Sequence, residues 1–331
     1  MRITILAYVE NEADKAFDVV VGQVAAALRK GGHKVSILGV HGNIGKLISG
    51  LKRRKPDLVF NLMEQFSEDI HSDVAAVGLL DLLGVPYTGG GPGEFYLQED
   101  KAVAKKLLAF EHVRFPDFAV FAKDTGFETG GNLRMPLFVK PLRADASIGI
   151  NGRSLVHTSD ELMKRVSAIH KEVHDAALAE EYIEGREFYI GVLGNAQPTA
   201  FPPIEIDFTG FPENKPRIMD GKAKFAEGTP EYKGTKAVLA DVPDELRAKL
   251  QEVSLNAYRA LKVRDYGRVD LRLTEAGDIY VIEVNASCYL EQSGEFATAA
   301  AAAGIDYVAL INRIVELAAE RAEHRKVKRL V

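Results

Sequence analysis

Between Gly267 and Glu291 the chain places Arg268, Asp270, Glu283 and Asn285 in two runs of alternating apolar and polar residues, RVDLRL and IYVIEVN. The turn-forming Glu275-Ala276-Gly277-Asp278 separates the runs, the pattern of an antiparallel hairpin. With Ala276 and Gly277 at the centre of the turn, Asp270 falls opposite Glu283 and Arg268 opposite Asn285. Strand side chains alternate faces, so these four project from one side while Val269, Leu271, Ile282 and Val284 fill the other. Two carboxylates at cross-strand distance repel each other unless a cation sits between them. A hard divalent ion such as Mg2+ takes the all-oxygen shell that Asp270, Glu283 and Asn285 offer. An ordinary exposed hairpin face laced with charges has the same spacing, and the pattern alone leaves both readings open.

Other residues able to handle phosphate precede the hairpin. Lys101 lies in the first turn of a helix over Asp100 to Phe110, where a cation opposes the helix dipole and costs stability unless it has an anionic partner. Lys140 closes a strand and leads into the loop RADASIGINGRS, Arg143 to Ser154, whose small residues leave backbone N–H groups free to cover phosphates. A mobile hairpin tip would look the same. Pro86 to Gly93, PYTGGGPG, invites a phosphate-loop reading, but no GKS or GKT follows and no intact GxGxxG opens a helix. A flexible domain junction is the expectation there.

The elements that must carry these residues follow from periodicity. Strands over Arg2 to Val9, Lys34 to Val40 and Asp57 to Met63 alternate with helices over Ala13 to Lys30, Lys46 to Arg54 and His71 to Leu83, a βαβαβ order that implies a parallel sheet. Strands are expected at Phe118 to Phe121, Leu137 to Lys140, Ala177 to Ile183, Arg186 to Leu193 and Thr199 to Phe208, and helices over Ser159 to His174 and Asp244 to Val263. Phe211 to Lys236 reads as a long irregular segment, and Phe296 to Arg325 as helix broken at Gly304.

The 331 residues, 47% apolar and 27% charged, suit a soluble chain of two or three domains. A net charge of −5 gives no general attraction to nucleic acid or to an anionic membrane, and no apolar run is long enough to span a bilayer. A single cysteine, Cys288, and the lack of a basic-then-apolar leader point to the cytoplasm, with Cys288 as a small packed thiol.

VPYTGGG, DKAVAKKLL, PLFVKPLRADASIGI, AEEYIEGREF and GRVDLRLTEAGDIYVIEVNAS occur in this order over nearly the whole chain. Together they resemble the ATP-grasp superfamily, and within it the D-alanine–D-alanine ligase family. The resemblance implies an α/β and α+β chain: a Rossmann-like domain over 1–98, an ATP-grasp central subdomain with its glycine-rich lid over 99–182, and a C-terminal subdomain carrying the metal site over 183–331. It implies that Lys101 and Lys140 contact ATP phosphates, that Glu180, Glu181 and Ile183 belong to a strand edge meeting the adenine, and that Glu187 holds the ribose. It also implies that Ser147 lies in the lid, and that Asp270, Glu283 and Asn285 bind two Mg2+ ions, for which Mn2+ substitutes. Arg268 would stabilise the transferring phosphoryl group and Lys224 would close on the γ-phosphate. The implied reaction joins a small carboxylic acid to an amine through an acyl phosphate, releasing ADP, in a cytoplasmic homodimer without nucleic-acid or membrane partners.

The substrate end departs from the family's pattern. Its Glu-Ser-Tyr set appears as Asp14, Ala146 and Phe225, its His-Gly pair as Met63-Glu64, and the run after Asn285 as SCYLEQSGEF, with Gly294 where a serine would bind the acceptor's carboxylate. Asp14, Glu64 and Gly294 are the candidate substrate residues. Losing several buried polar contacts changes a substrate rather than merely weakening it. A ligase for a pair other than two D-alanines is therefore expected. A genuine D-alanine–D-alanine ligase, a non-catalytic Mg-ATP-binding protein and an acyl-phosphate-releasing kinase are the competing readings.

Overall fold

Apolar stripes and caps set the framework. A computed structural model of the chain describes residues 1–11, 16–63, 65–67, 72–123, 128–129, 133–144, 147–212, 215–219 and 221–328. The parallel strands β1 (Arg2–Tyr8), β2 (Lys34–Val40) and β3 (Leu58–Leu62) lie in the order β2-β1-β3. They alternate with α1 (Val19–Lys30), α2 (Ile44–Arg54) and α3 (Ser72–Leu83). The first helix begins at Val19 rather than Ala13 because Asp18 caps it, its carboxylate accepting from the Val20 N–H at 2.8 Å.

A helix absent from the sequence expectation, α4 (Pro92–Glu99), leads into α5 (Lys101–Phe110). Proline suits the first turn of α4, and the Glu94 carboxylate accepts from the Gly91 N–H at 2.9 Å. The antiparallel sheet of β4 (Phe118–Phe121), β5 (Glu128–Thr129), β6 (Leu137–Pro141), β7 (Leu155–Val156) and β8 (Ala177–Glu181) follows, ordered β5-β4-β8-β6-β7, with α6 (Ser159–Glu172) packed on it. Strand β8 is interior, paired to β4 and β6 on its two sides.

The remaining elements are β9 (Arg186–Leu193), β10 (Thr199–Ala200), β11 (Ile204–Asp207), α7 (Gly221–Phe225), α8 (Pro230–Lys233), β12 (Lys236–Leu239), α9 (Asp244–Ala260), β13 (Tyr266–Leu273), β14 (Ile279–Asn285), α10 (Glu295–Ala302) and α11 (Tyr307–Lys328). Their sheet runs β12-β11-β9-β13-β14, with β10 on β9. The single strand expected over Thr199 to Phe208 is split at Pro202-Pro203, which lack ladder donors. Two short helices occupy the segment read as irregular. Among the described residues no single helix is long and apolar enough to cross a membrane.

The hairpin β13–β14 has the expected opposition at its far end, Arg268 with Asn285 and Asp270 with Glu283. Nearer the turn the register shifts: Leu271 faces Val281, and Ile282 is the extra residue of a bulge. Val281, not Ile282, therefore joins Val269, Leu271 and Val284 in the core. Gly277 at φ 88° closes the turn in a conformation that side-chain-bearing residues rarely adopt.

The triple-glycine junction is not flexible. Gly89, Gly90 and Gly91 are buried, and the Gly89 N–H donates to Asp265 Oδ2 at 2.9 Å. Asp265 is fully buried, with Arg321 of α11 at 2.8 Å and Asn195 at 3.1 Å. One carboxylate thus joins the junction, the β9–β10 turn and the last helix. Asp265→Ala strands Arg321 and is expected to lower unfolding stability by about 3 kcal/mol. Asp265→Asn, which tolerates the same left-handed backbone, should lose less; denaturant unfolding of both variants checks this.

Candidate active site

The sequence of β13 puts Arg268, Asp270 and Arg272 on one face, and its two neighbours complete the surface. Across from them stand Gly191, Tyr189 and Glu187 on β9, and Asn285 and Glu283 on β14. Arg268 donates to both oxygens of Asp270, at 2.7 and 2.9 Å, and Asn285 Nδ2 lies 3.3 Å from Asp270 Oδ2. Gly191 has no side chain because Phe296 of α10 occupies that space, 2.9 Å from where a Cβ would stand. That close approach seats the start of α10 over Arg268's strand neighbour.

Lysines reach this surface from helix α5 and strand β6. Lys101 Nζ lies 3.4 Å from Glu283 and donates to the Ala144 carbonyl at 3.1 Å, the anionic partner its place in a first turn demands. Lys140 lies 2.8 Å from Glu180 Oε2, and Lys105 lies 2.7 Å from Glu180 Oε1, a charge contact without hydrogen-bond angles. Glu181, next along β8, points the other way and takes Arg134 at 3.0 Å. Ile183 is half-buried between β8 and β9.

Glu187 accepts from the Tyr189 hydroxyl at 3.0 Å and pairs with Arg272 through its other oxygen. The Ser147 hydroxyl donates to the Met219 carbonyl at 3.0 Å, joining the glycine-rich loop to the segment before α7, and Arg165 holds the Gly149 carbonyl. Lys224 on α7 acts on Asp270 and Glu283 through charge. Gly294 is the N-cap of α10, its carbonyl accepting from the Thr298 N–H at 2.9 Å while its own N–H donates to the Glu291 carbonyl at 3.0 Å. Asp14, Glu64 and Ala146 lie outside the described residues.

Charge dictates what this surface attracts. Lys101, Lys105, Lys140, Lys224 and Arg268 surround Glu180, Asp270 and Glu283. Burial alone would push the Glu283 carboxyl up, but Lys101 and Lys140, then Lys224 and Arg268, outweigh it and hold it at about 2. Burial pushes Asp270 up, only partly opposed by Arg268. Burial lowers Lys105, while Glu180 and Glu283 outweigh burial at Lys140 and raise it. The surplus is positive, and a polyanion relieves it. Among the described residues no three His, Cys, Asp or Glu side chains converge. The oxygens of Asp270, Glu283 and Asn285 nonetheless fit a hard divalent ion, and Arg268 supplies the positive charge beside Asp270 in this structure.

A sequence model of the family described as D-ala D-ala ligase C-terminus matches residues 106–316. The chain belongs to the D-alanine–D-alanine ligase family. A D-alanine–D-alanine ligase of Carboxydothermus hydrogenoformans is 31% identical over 89% of this chain and 90% of that protein. The one of Desulfotalea psychrophila is 33% identical over 75% of each. The Sinorhizobium fredii protein y4sG is 32% identical over 91% of this chain and 88% of its own length. The fold matches the Bacillus anthracis D-alanine–D-alanine ligase, solved with ATP, at a TM-score of 0.74 and 23% identity over 98% of this chain and 99% of that one. Membership makes the architecture an ATP-grasp fold and the chemistry class an ATP-dependent, ADP-forming carbon–nitrogen ligation, with ATP and Mg2+ as its requirements.

Sequence reasoning missed Lys105, Tyr189 and Arg272. Lys105 stands four residues after Lys101, on one helical face, and Arg272 two after Asp270, on one strand face. Those spacings were the available signals. Removing Lys105 leaves Glu180 buried with one cation. Lys105→Met, which leaves Glu180 paired with Lys140, is expected to change unfolding stability little, whereas Glu180→Gln, which leaves both lysines buried without their carboxylate, should cost about 3 kcal/mol in denaturant unfolding.

Cys288 is 6% exposed, and burial pushes its thiol up to about 12. It is therefore protonated at neutral pH and unsuited as a nucleophile. A thiol-reactive disulfide at pH 8 should label it slowly in the native protein and rapidly once guanidinium unfolds the chain.

Proposed function

We propose that the chain is a carboxylate–amine ligase acting through an acyl phosphate on a pair other than two D-alanines. The observation that carries the finer part is the start of α10. Gly294 offers no side chain there, and Glu295 puts a carboxylate into the first turn, close enough to act on Arg268 and Tyr189. Glu291, held by Gln23 at 2.7 Å and Ser293 at 2.6 Å, adds a second carboxylate nearby. An acceptor bearing its own carboxylate is repelled by such a surface, and a cationic or amine-bearing one is favoured.

In this reading Lys101 and Lys140 hold the phosphates, Glu187 the ribose, and the chain from Glu180 through Glu181 to Ile183 the adenine. Mg2+ ions at Asp270, Glu283 and Asn285, two of them and replaceable by Mn2+, supply charge neutralisation when bound. The donor carboxylate attacks the γ-phosphorus and ADP departs. The amine then attacks the acyl carbon, phosphate leaves with the anhydride's electron pair, and a proton is lost from nitrogen. Arg268 and Lys224 offset the charge on the transferring group. The loops 143–154 and 211–236, joined at Ser147, exclude the water that would hydrolyse the acyl phosphate.

We further read 1–98, 99–182 and 183–331 as the working units, and Asp14 and Glu64 as substrate residues, in a homodimer. A genuine D-alanine–D-alanine ligase is the second reading, favoured by the names of the 31% and 33% identical relatives. ADP release with Mg-ATP across D- and L-amino acids, polyamines and other carboxylates, with products weighed by mass spectrometry, decides between them. An amide from another pair is expected. D-alanyl-D-alanine as the best product would overturn the substrate claim, and no ADP with any pair would overturn the ligase claim.

A further inference from the structure

Tyr189 is 4% exposed and lies on β9 directly opposite Asp270, in the middle of the site face. Its two ends touch two different parts of that face. The hydroxyl donates to Glu187 Oε1 at 3.0 Å, while the ring centroid lies 4.3 Å from the Arg268 Cζ. Burial pushes the phenol well above its ordinary range, so the hydroxyl stays a donor. Arg272 occupies the other oxygen of Glu187, which fixes the carboxylate from both sides. Asp270 grips the Arg268 guanidinium through two hydrogen bonds in its own plane, and a ring face adds the restraint that in-plane bonds cannot give.

We propose that Tyr189 is a positioning residue with two separable roles, its hydroxyl orienting Glu187 toward the nucleotide ribose and its ring holding Arg268 toward the transferring phosphoryl group. This rests on the proposed roles of Glu187 and Arg268. One buried side chain then sets both ends of the nucleotide site, and each end can be removed alone. Tyr189→Phe deletes the hydroxyl and keeps the ring. Tyr189→Leu deletes both.

The test measures binding of ATP and 2′-deoxy-ATP by calorimetry with Mg2+, and ADP release with the best substrate pair. Tyr189→Phe should shrink the preference for ATP over 2′-deoxy-ATP by about three- to tenfold, the worth of one hydrogen bond, with a smaller loss of kcat than Tyr189→Leu shows. Tyr189→Leu should in addition lower kcat by about tenfold or more. Should the leucine variant fail to fold, Tyr189→Met fills more of the space and serves the same arm. A preference kept intact in Tyr189→Phe would overturn the hydroxyl role, and an unchanged kcat in Tyr189→Leu the ring role. No preference in wild type would overturn the Glu187 assignment and this one together.

Discussion

Among the described residues Lys101, Lys105, Lys140, Lys224 and Arg268 are held around Glu180, Asp270 and Glu283, with Glu295 acting on Arg268, and burying that surplus of positive charge costs stability unless an anion enters. The rest of the structure bears the cost. Lys101 of α5 must come within 3.4 Å of Glu283 on β14, and Lys140 of β6 within 2.8 Å of Glu180 on β8. Buried apolar clusters on the far faces of both antiparallel sheets provide the offset. Carboxylates between the lysines offset their mutual repulsion, and Glu180 is the clearest of these, with a lysine at each oxygen.

The same surplus favours an anion of high charge over a singly charged one. Phosphoryl transfer asks for charges fixed before the reaction, because solvent that must reorganise cannot stabilise a fleeting phosphoryl group. Arg268, gripped by Asp270 and backed by Tyr189, is fixed in this way. The Ser147 hydroxyl on the Met219 carbonyl joins the glycine-rich loop to the segment before α7.

The opposition of Asp270 and Glu283 was legible in the sequence because strand alternation and a four-residue turn cluster together fix a register. The bulge at Ile282 was not, since an extra residue in a strand leaves the alternation intact on either side of it. The parallel sheet followed from the order of elements, whereas α4 was hidden by a proline and a glycine that read as loop but serve a helix start. The triple glycine looked flexible because small residues permit motion. Its immobility comes from Asp265, a residue 176 positions away that no local pattern connects to it. Tyr189 was invisible for a related reason: a tyrosine in a strand carries an ordinary propensity, and only the fold shows what it faces, whereas Lys105 had a signal in its spacing from Lys101.

The most direct measurement is calorimetric binding of adenosine, AMP, ADP and ATP, each with and without Mg2+. A site organised by surplus positive charge should bind more tightly with each added phosphate, and ATP should gain most from the metal. Adenosine binding as tightly as ATP, or ATP indifferent to Mg2+, would contradict it.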